Sequence, residues 1–397
     1  MNQRMFGLGS KRSVIRETFE YGKKRAAEVG AENVYDFSLG NPSVAPPQIV
    51  EDTLAALLKE EDSTALHGYT SAQGDAGVRE AIAAYIRKTH GAECDANLIY
   101  MTCGAAASLT ITLSALCNAG DEVITFAPYF TEYKVFTETA GATLVPLASD
   151  PDTFQIDFSL LEKALNKNTA AVLVNSPNNP SGVVYGEETI RKLAALLEEK
   201  SAEYKKAIYL ITDEPYRELV YGGVKVPYLT NYYRNTVVCY SYSKSLSLPG
   251  ERIGYISVNP AAEKAKDLYL AICGAGRALG YVCAPSLFQK MVARCQGVTS
   301  DVSVYEKNRD LLSGALREYG FSCVPPDGAF YLFVKSPEPD ANAFCERAKK
   351  YDLLLVSGDD FGCPGYVRIA YCVSPDMIRR ALPSFRKLAE EYSLGKE

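Results

Sequence analysis

The stretch TVVCYSYSKSLSLPGERIGYI, residues 236–256, decides the fold. Thr236–Tyr240 is a short apolar run of β-branched and aromatic residues, which reads as a buried strand. It runs straight into Ser241-Tyr-Ser-Lys244, a lysine among small hydroxyls, and then into Pro-Gly and Arg252 ahead of a second apolar run. A strand that ends in Ser-x-x-Lys delivers an amine to the carboxyl edge of a sheet, where open α/β folds place their ligands. The competing reading of Lys244 is the ordinary one, an exposed lysine in a loop.

The neighbouring sequence repeats the pattern. Short apolar strands are predicted at Leu98–Thr102, Glu122–Phe126, Thr143–Pro146, Ala170–Asn175, Ala207–Thr212, Thr236–Tyr240 and Ile253–Val258. Helices are predicted between most of them, at Ala106–Leu116, Tyr129–Thr139, Leu160–Leu165 and Glu187–Glu199. Continuous apolar strands alternating with helices make an α/β fold, a mainly parallel seven-stranded sheet covered on both faces. Upstream, helices are expected at Val14–Val29, Gln48–Lys59 and Ala76–His90, with an extended segment at Val34–Leu39. Downstream the character becomes α+β: a long polar helix at Leu287–Ala315, an apolar run at Ala329–Val334, a helix at Ala341–Tyr351, strands at Leu353–Val356 and Tyr366–Ala370, and a final helix at Pro375–Tyr392. The expected division is residues 1–45 as a segment packing with the small domain, 46–286 as the large domain, and 287–397 as the small one. A length of 397 residues suits two or three domains.

Composition removes several classes of function. A formal charge of −6 and no basic tract give no footprint for nucleic acid. The N-terminal residues carry charges throughout and lack the apolar core of a secretory signal. No apolar run approaches the ~18 residues of a membrane span. Eleven cysteines, an odd number scattered without C-x-x-C, suit a reducing, cytoplasmic setting better than a disulfide framework or zinc ribbon. With only His67 and His90 present, no metal site is expected, and a base or nucleophile has to come from elsewhere.

Four further stretches carry chemistry. Met101–Ser108 joins a strand to a helix through Cys103-Gly-Ala-Ala, small residues that let backbone amides approach an anion at a helix N-terminus; a plain turn reads the same way. Asn175-Ser-Pro-Asn-Asn-Pro-Ser-Gly182 is a rigid polar loop at a strand's end, or a turn with asparagine at positive φ. Asp213 and Tyr216, in Thr-Asp-Glu-Pro-Tyr, place a carboxylate and a phenol at the sheet edge; Asp213 could equally be a helix N-cap. Arg368 sits inside an apolar strand, and its partner is either an internal carboxylate or a bound one.

In chain order these stretches give a small-residue turn, an aromatic, Asn-Pro-x-Gly, Asp-x-x-Tyr, Ser-x-x-Lys, an arginine eight residues on, and a late arginine. That order, from Gly40-Asn-Pro42 to Arg368, resembles the class I/II aminotransferases, fold-type I enzymes that use pyridoxal 5′-phosphate, and the aspartate aminotransferases in particular. The resemblance implies a Schiff base between Lys244 and the cofactor aldehyde. It implies Asp213 on the ring nitrogen, Tyr216 and Asn179 on the phenolate oxygen, and Tyr129 stacked on the ring. Gly104, Ala105, Ala106, Ser241, Ser243 and Arg252 would hold the phosphate, joined by Tyr69 from a partner subunit, so a homodimer is implied. Arg368, with Asn179 and the backbone at Gly40, would hold the substrate α-carboxylate.

Cys103 and the alanines depart from the Ser/Thr common at the phosphate turn, which leaves more of the binding to amides. Arg277 lies about where aspartate-specific members carry an arginine for a side-chain carboxylate; it reads equally as a surface or interface residue. The expected activity is transfer of an amino group between an L-amino acid, such as aspartate or glutamate, and a 2-oxo acid. A β-eliminating carbon–sulfur lyase on the same scaffold is the alternative. A DNA-binding regulator of this fold is disfavoured, because about 40 residues ahead of the cofactor domain are too few for a winged helix and linker.

Overall fold

The computed structural model describes residues 1–10 and 14–395, so the last two residues of the expected 287–397 unit lie outside it. Twelve strands are present among the described residues: β1 (Tyr35–Asp36), β2 (Ile99–Thr102), β3 (Glu122–Ala127), β4 (Thr143–Ala148), β5 (Thr169–Asn175), β6 (Tyr209–Glu214), β7 (Thr236–Ser241), β8 (Gly254–Val258), β9 (Tyr331–Lys335), β10 (Leu353–Leu354), β11 (Val356–Ser357) and β12 (Tyr366–Ala370). Seven of them, each at a predicted position, form the main sheet in the order β2-β8-β7-β6-β5-β3-β4. Pairing is parallel from β7 through to β4, and β8 runs antiparallel to both β2 and β7.

Strand alternation sorts the core onto two faces. Val172 and Val174 of β5 pack with Ile190, Leu193 and Leu197 of the helix Glu187–Tyr204. Ala171 and Leu173 point the other way, to Leu109 and Leu113 of the helix Ala105–Leu116. Because both faces are covered, the central strands read as unbroken apolar runs. A third cluster gathers Val78, Ile82 and Ile86 of the helix Ala76–His90 against Met291 and Val292.

The remaining strands form two small sheets. β11-β12-β9 is antiparallel, and β1 pairs in parallel with β10. Their core joins Phe37 from the N-terminal part to Tyr305, Phe330, Phe344 and Phe385, and also takes in Tyr216 and Leu219, which follow β6. The core therefore continues from the main sheet's carboxyl edge into the small sheets, and the cleft between them is where the chemistry-bearing residues meet.

Several elements differ from expectation. The long helix expected at Leu287–Ala315 is two helices, Ser286–Arg294 and Ser303–Glu318. Gly297 at φ +78° ends the first, and Asp301 accepts the Ser303 amide ahead of the second. The helix expected from Tyr129 begins at Glu132, because Pro128, Tyr129 and Phe130 form the loop that leaves β3. A helix at Ala265–Ala278 carries Arg277. No helix among the described residues is long and apolar enough to cross a membrane.

Candidate active site

The parallel strands bring their carboxyl ends into register. Asn175 of β5 pairs with Asp213 of β6, and Asp213 with Cys239 of β7, two residues before Ser241. A cavity of about 280 Å³ opens at this edge. Lys244, Asp213, Tyr216, Asn179, Ala105, Ala106, Ser241, Ser243, Arg252, Arg368 and Gly40 all line it.

Lys244 sits in a single helical turn, Tyr242–Ser245, that Ser241 caps by accepting the Ser243 amide. It is half-buried, not an exposed loop lysine. Its Nζ donates to the Gly40 carbonyl at 2.6 Å and lies 5.4 Å from the centre of the Phe330 ring. None of the ion pairs among the described residues involves Lys244, Asp213 or Arg368. Burial pulls the amine down to about 8, with Arg252 and Arg368 adding to the shift.

Asp213 lies within β6 and is not a helix cap. Its Oδ2 accepts the Tyr133 hydroxyl at 2.6 Å, while Oδ1 is buried without a hydrogen-bond partner. Burial lifts this carboxyl to about 7. A buried carboxylate oxygen with no donor calls for a cationic or N–H partner in the cavity it faces. Tyr216 and Tyr331 join through their hydroxyls at 2.9 Å, and burial holds the Tyr216 phenol well above its usual range.

At one end of the cavity the helix Ala105–Leu116 presents its N-terminus. Its first turn closes from the Ser108 amide to the Gly104 carbonyl, so the amides of Ala105 and Ala106 have no intrahelical acceptor. Gly104 has φ +84°, and a Cβ there would sit 3.0 Å from Nη2 of Arg252. Only glycine allows both that turn and the close approach of the guanidinium. Arg252 also reaches Ser243 Oγ at 3.4 Å. Free amides at a helix N-terminus, an arginine and two serine hydroxyls are the donor set for a phosphate dianion.

Arg368 holds the other end, buried beside the rings of Tyr331 and Phe361. Its Nη2 donates to the Ser38 carbonyl at 2.6 Å and its Nη1 to Asn179 Oδ1 at 3.2 Å, and Nε is buried without a partner. Among the described residues no carboxylate neutralises it, which favours a bound one. Asn179 is itself fixed by its amide, which donates to Asn175 Oδ1 at 2.7 Å. In that loop the positive φ belongs to Gly182, not to an asparagine.

Three residues named from the resemblance stand elsewhere. Tyr129 does not line the cavity; its amide donates to the Phe361 carbonyl and its ring packs against Gly362. The next residue, Phe130, lines the cavity instead, as Tyr216 and Tyr331 also do. Tyr69 is 98% exposed, and Arg277 is exposed on the helix Ala265–Ala278. Sequence reading also missed Tyr331, Tyr133 and Ile15. Tyr331 lies in the apolar run Ala329–Val334, where period-two alternation marks one set of side chains as facing a common side. Neither Tyr133 nor Ile15 carries a comparable local signal.

The donor set fits pyridoxal phosphate: amides and Arg252 for its phosphate, an orphaned carboxylate oxygen for its ring nitrogen, and a part-buried amine between them. The chain belongs to the class I and II aminotransferases, whose family profile matches residues 32–385. It is 30% identical over 376 residues to the aspartate aminotransferase of Thermotoga maritima, covering 93% of this chain and 95% of that one. Among solved structures, an aminotransferase from Eubacterium rectale is 60% identical, with TM-score 0.97 over 99% of each chain. The aspartate aminotransferase of Thermus thermophilus with maleate is 25% identical, with TM-score 0.84 over 95% of this chain and 97% of that one. The chain is an aminotransferase, of a family that works with pyridoxal phosphate, and these relatives favour amino transfer over β-elimination.

Proposed function

We propose that the cavity holds pyridoxal phosphate and that the enzyme exchanges the amino group of an L-amino acid, aspartate or glutamate being the first candidates, with a 2-oxo acid. The observation that carries this reading is the meeting of the Lys244 amine, the unpartnered Oδ1 of Asp213 and the open helix N-terminus beside Arg252 in one cavity. When bound, the cofactor supplies an aldehyde that takes up amines and a pyridinium ring that withdraws electrons from the substrate α-carbon.

The chain's own residues do the rest. Ala105, Ala106, Ser241, Ser243 and Arg252 bind the phosphate. Asp213 keeps a proton on the ring nitrogen. Tyr216 and Asn179 donate to the phenolate oxygen, and Phe130, rather than Tyr129, packs against the ring. Lys244 Nζ, drawn toward neutrality by burial, moves the proton at the substrate α-carbon. Arg368 takes the α-carboxylate on its unpartnered Nε edge. We also propose that the chain divides near residues 45 and 286, the second unit closing on the first over substrate.

Relatives named for aspartate, and one solved with maleate, support a dicarboxylate donor. Arg277 is exposed in the single chain, so it could serve that carboxylate only from a second copy. Tyr69, Leu270, Tyr281 and Val282 are exposed hydrophobic residues that a partner subunit would cover. Sedimentation velocity is expected to give a dimer; a monomer at micromolar concentration would remove both Tyr69 and Arg277 from the site. Arg277→Ala is expected to lower kcat/KM for aspartate and glutamate about 10- to 100-fold relative to alanine. Equal effects on all three donors would assign Arg277 to the interface. All eleven cysteines are free, which supports a cytoplasmic setting.

The test of the whole reading is a single-turnover absorbance scan with a panel of amino acids. Conversion of the cofactor band to its amine form, reversed by a 2-oxo acid, is expected. Release of pyruvate and ammonia from a cysteine conjugate, with no acceptor needed, would instead establish the lyase.

A further inference from the structure

We propose that Tyr133 is a positioning residue of this aminotransferase: its hydroxyl clamps one oxygen of Asp213, leaves the other for the cofactor ring, and keeps the shared proton on the ring nitrogen. The inference rests on Asp213 being the ring-nitrogen partner.

Tyr133 is 1% exposed on the helix Glu132–Thr139, one turn after Phe130. Its Oη donates to Asp213 Oδ2 at 2.6 Å, the short distance of a charge-assisted bond. Among the described residues no other side chain donates to that carboxylate, and Oδ1 has no partner. The direction of the bond is fixed by chemistry, since burial holds the phenol well above its usual range and the proton stays on tyrosine. Titratable groups around Asp213 are few. Cys239 lies beside it on β7, Tyr216 and Glu214 follow it in sequence, and Glu214 is turned to the opposite side and paired with Arg217. The Tyr133 ring meets the Phe130 ring edge to face, with centroids 5.6 Å apart. One residue therefore braces both the cavity's aromatic wall and its carboxylate.

The consequence is directional. A donor on Oδ2 lowers the proton affinity of the carboxylate, so the proton between Asp213 and the ring rests on the ring. Without the donor, the carboxyl group competes better and the ring nitrogen becomes neutral. The Tyr133→Phe variant removes one oxygen and keeps the ring packing.

The experiment uses holoenzyme loaded with cofactor carrying ¹⁵N in the ring. Wild type is expected to show the protonated ring-nitrogen shift across the neutral range, and Tyr133→Phe a shift toward the neutral-pyridine value. Turnover of Tyr133→Phe should fall about 10- to 100-fold with KM changed less than about threefold, the pattern of a lost hydrogen bond to a charge. Tyr133→4-aminophenylalanine keeps both ring and donor and should restore the protonated shift; Tyr133→4-methylphenylalanine, which fills the hydroxyl's space without a donor, serves if the phenylalanine variant does not fold. An unchanged shift in Tyr133→Phe, while Asp213→Asn moves it, overturns the inference alone. An unchanged shift in Asp213→Asn overturns the ring-nitrogen assignment beneath it.

Discussion

Lys244→Ala is expected to remove transamination and leave a folded protein. The lost proton transfer at the substrate α-carbon alone is worth about 10²–10⁴-fold in rate, and the covalent hold on the cofactor goes with it. Folding should survive, because among the described residues Nζ makes one hydrogen bond, to the Gly40 carbonyl, and no ion pair. Stability should even rise at neutral pH. The amine is depressed to about 8 by burial, below its unfolded value of about 10.4. A base depressed in the folded state is favourable above its unfolded pKa, and that advantage is lost as pH falls through about 8. At pH 7 the wild-type apoprotein therefore carries a desolvated ammonium that the alanine variant lacks. Calorimetry of the two apoproteins is expected to give Lys244→Ala the equal or higher Tm at pH 7, with the gap closing toward pH 10. Borohydride reduction of wild-type holoenzyme should leave the cofactor on the peptide that contains Lys244. Near-wild-type turnover in the variant, or a label on another lysine, would move the nucleophile elsewhere.

The sequence made the main sheet legible because its strands are buried on both faces, and such strands advertise themselves as unbroken apolar runs. Even the edge strand β4 was readable, and Pro146 within it is tolerated where an outward N–H needs no partner. The pairing of β1 with β10 was not readable. It joins Tyr35 to Leu353 through two residues each, and nothing local specifies a partner so distant. The helix break after Arg294 turned on Gly297, a residue also tolerated inside helices. In the site, the residues with chemistry written in their type were found: Lys244, Asp213, Arg252 and Arg368 all reach the cavity. Tyr129 was named where Phe130 lines the cavity, because both lie in a loop, where no periodicity tells which of two neighbouring rings faces inward. Tyr133 escaped because its meaning is a contact with Asp213, 80 positions away.

Asp213→Asn is expected to separate function from stability in opposite directions. The aspartate is 4% exposed, its Oδ1 faces no donor, and burial lifts its carboxyl to about 7 from an unfolded value near 3.9. An acid raised in the folded state stabilises fully below its unfolded pKa, and that stabilisation is lost as pH rises from about 4 through about 7. At about 1.36 kcal/mol per unit, the charged form burdens the wild-type apoprotein by up to roughly 4 kcal/mol at pH 8. Asparagine carries no charge, and its Oδ1 can still accept from Tyr133. The variant apoprotein should therefore melt above wild type at pH 8 and level with it near pH 4. Catalysis should move the other way, because a neutral amide cannot hold a proton on the ring nitrogen. A preorganised charge of this kind is worth about 10²–10³-fold in kcat. Calorimetry at two pH values and stopped-flow with a competent amino acid read the two effects on one sample. If turnover fell while the stability difference between the two apoproteins stayed flat with pH, Asp213 would titrate in the folded protein as it does in the unfolded chain, and burial would not be raising it. If neither changed, the buried carboxylate would be a structural residue, and the ring nitrogen's partner would have to be sought elsewhere on the cavity wall.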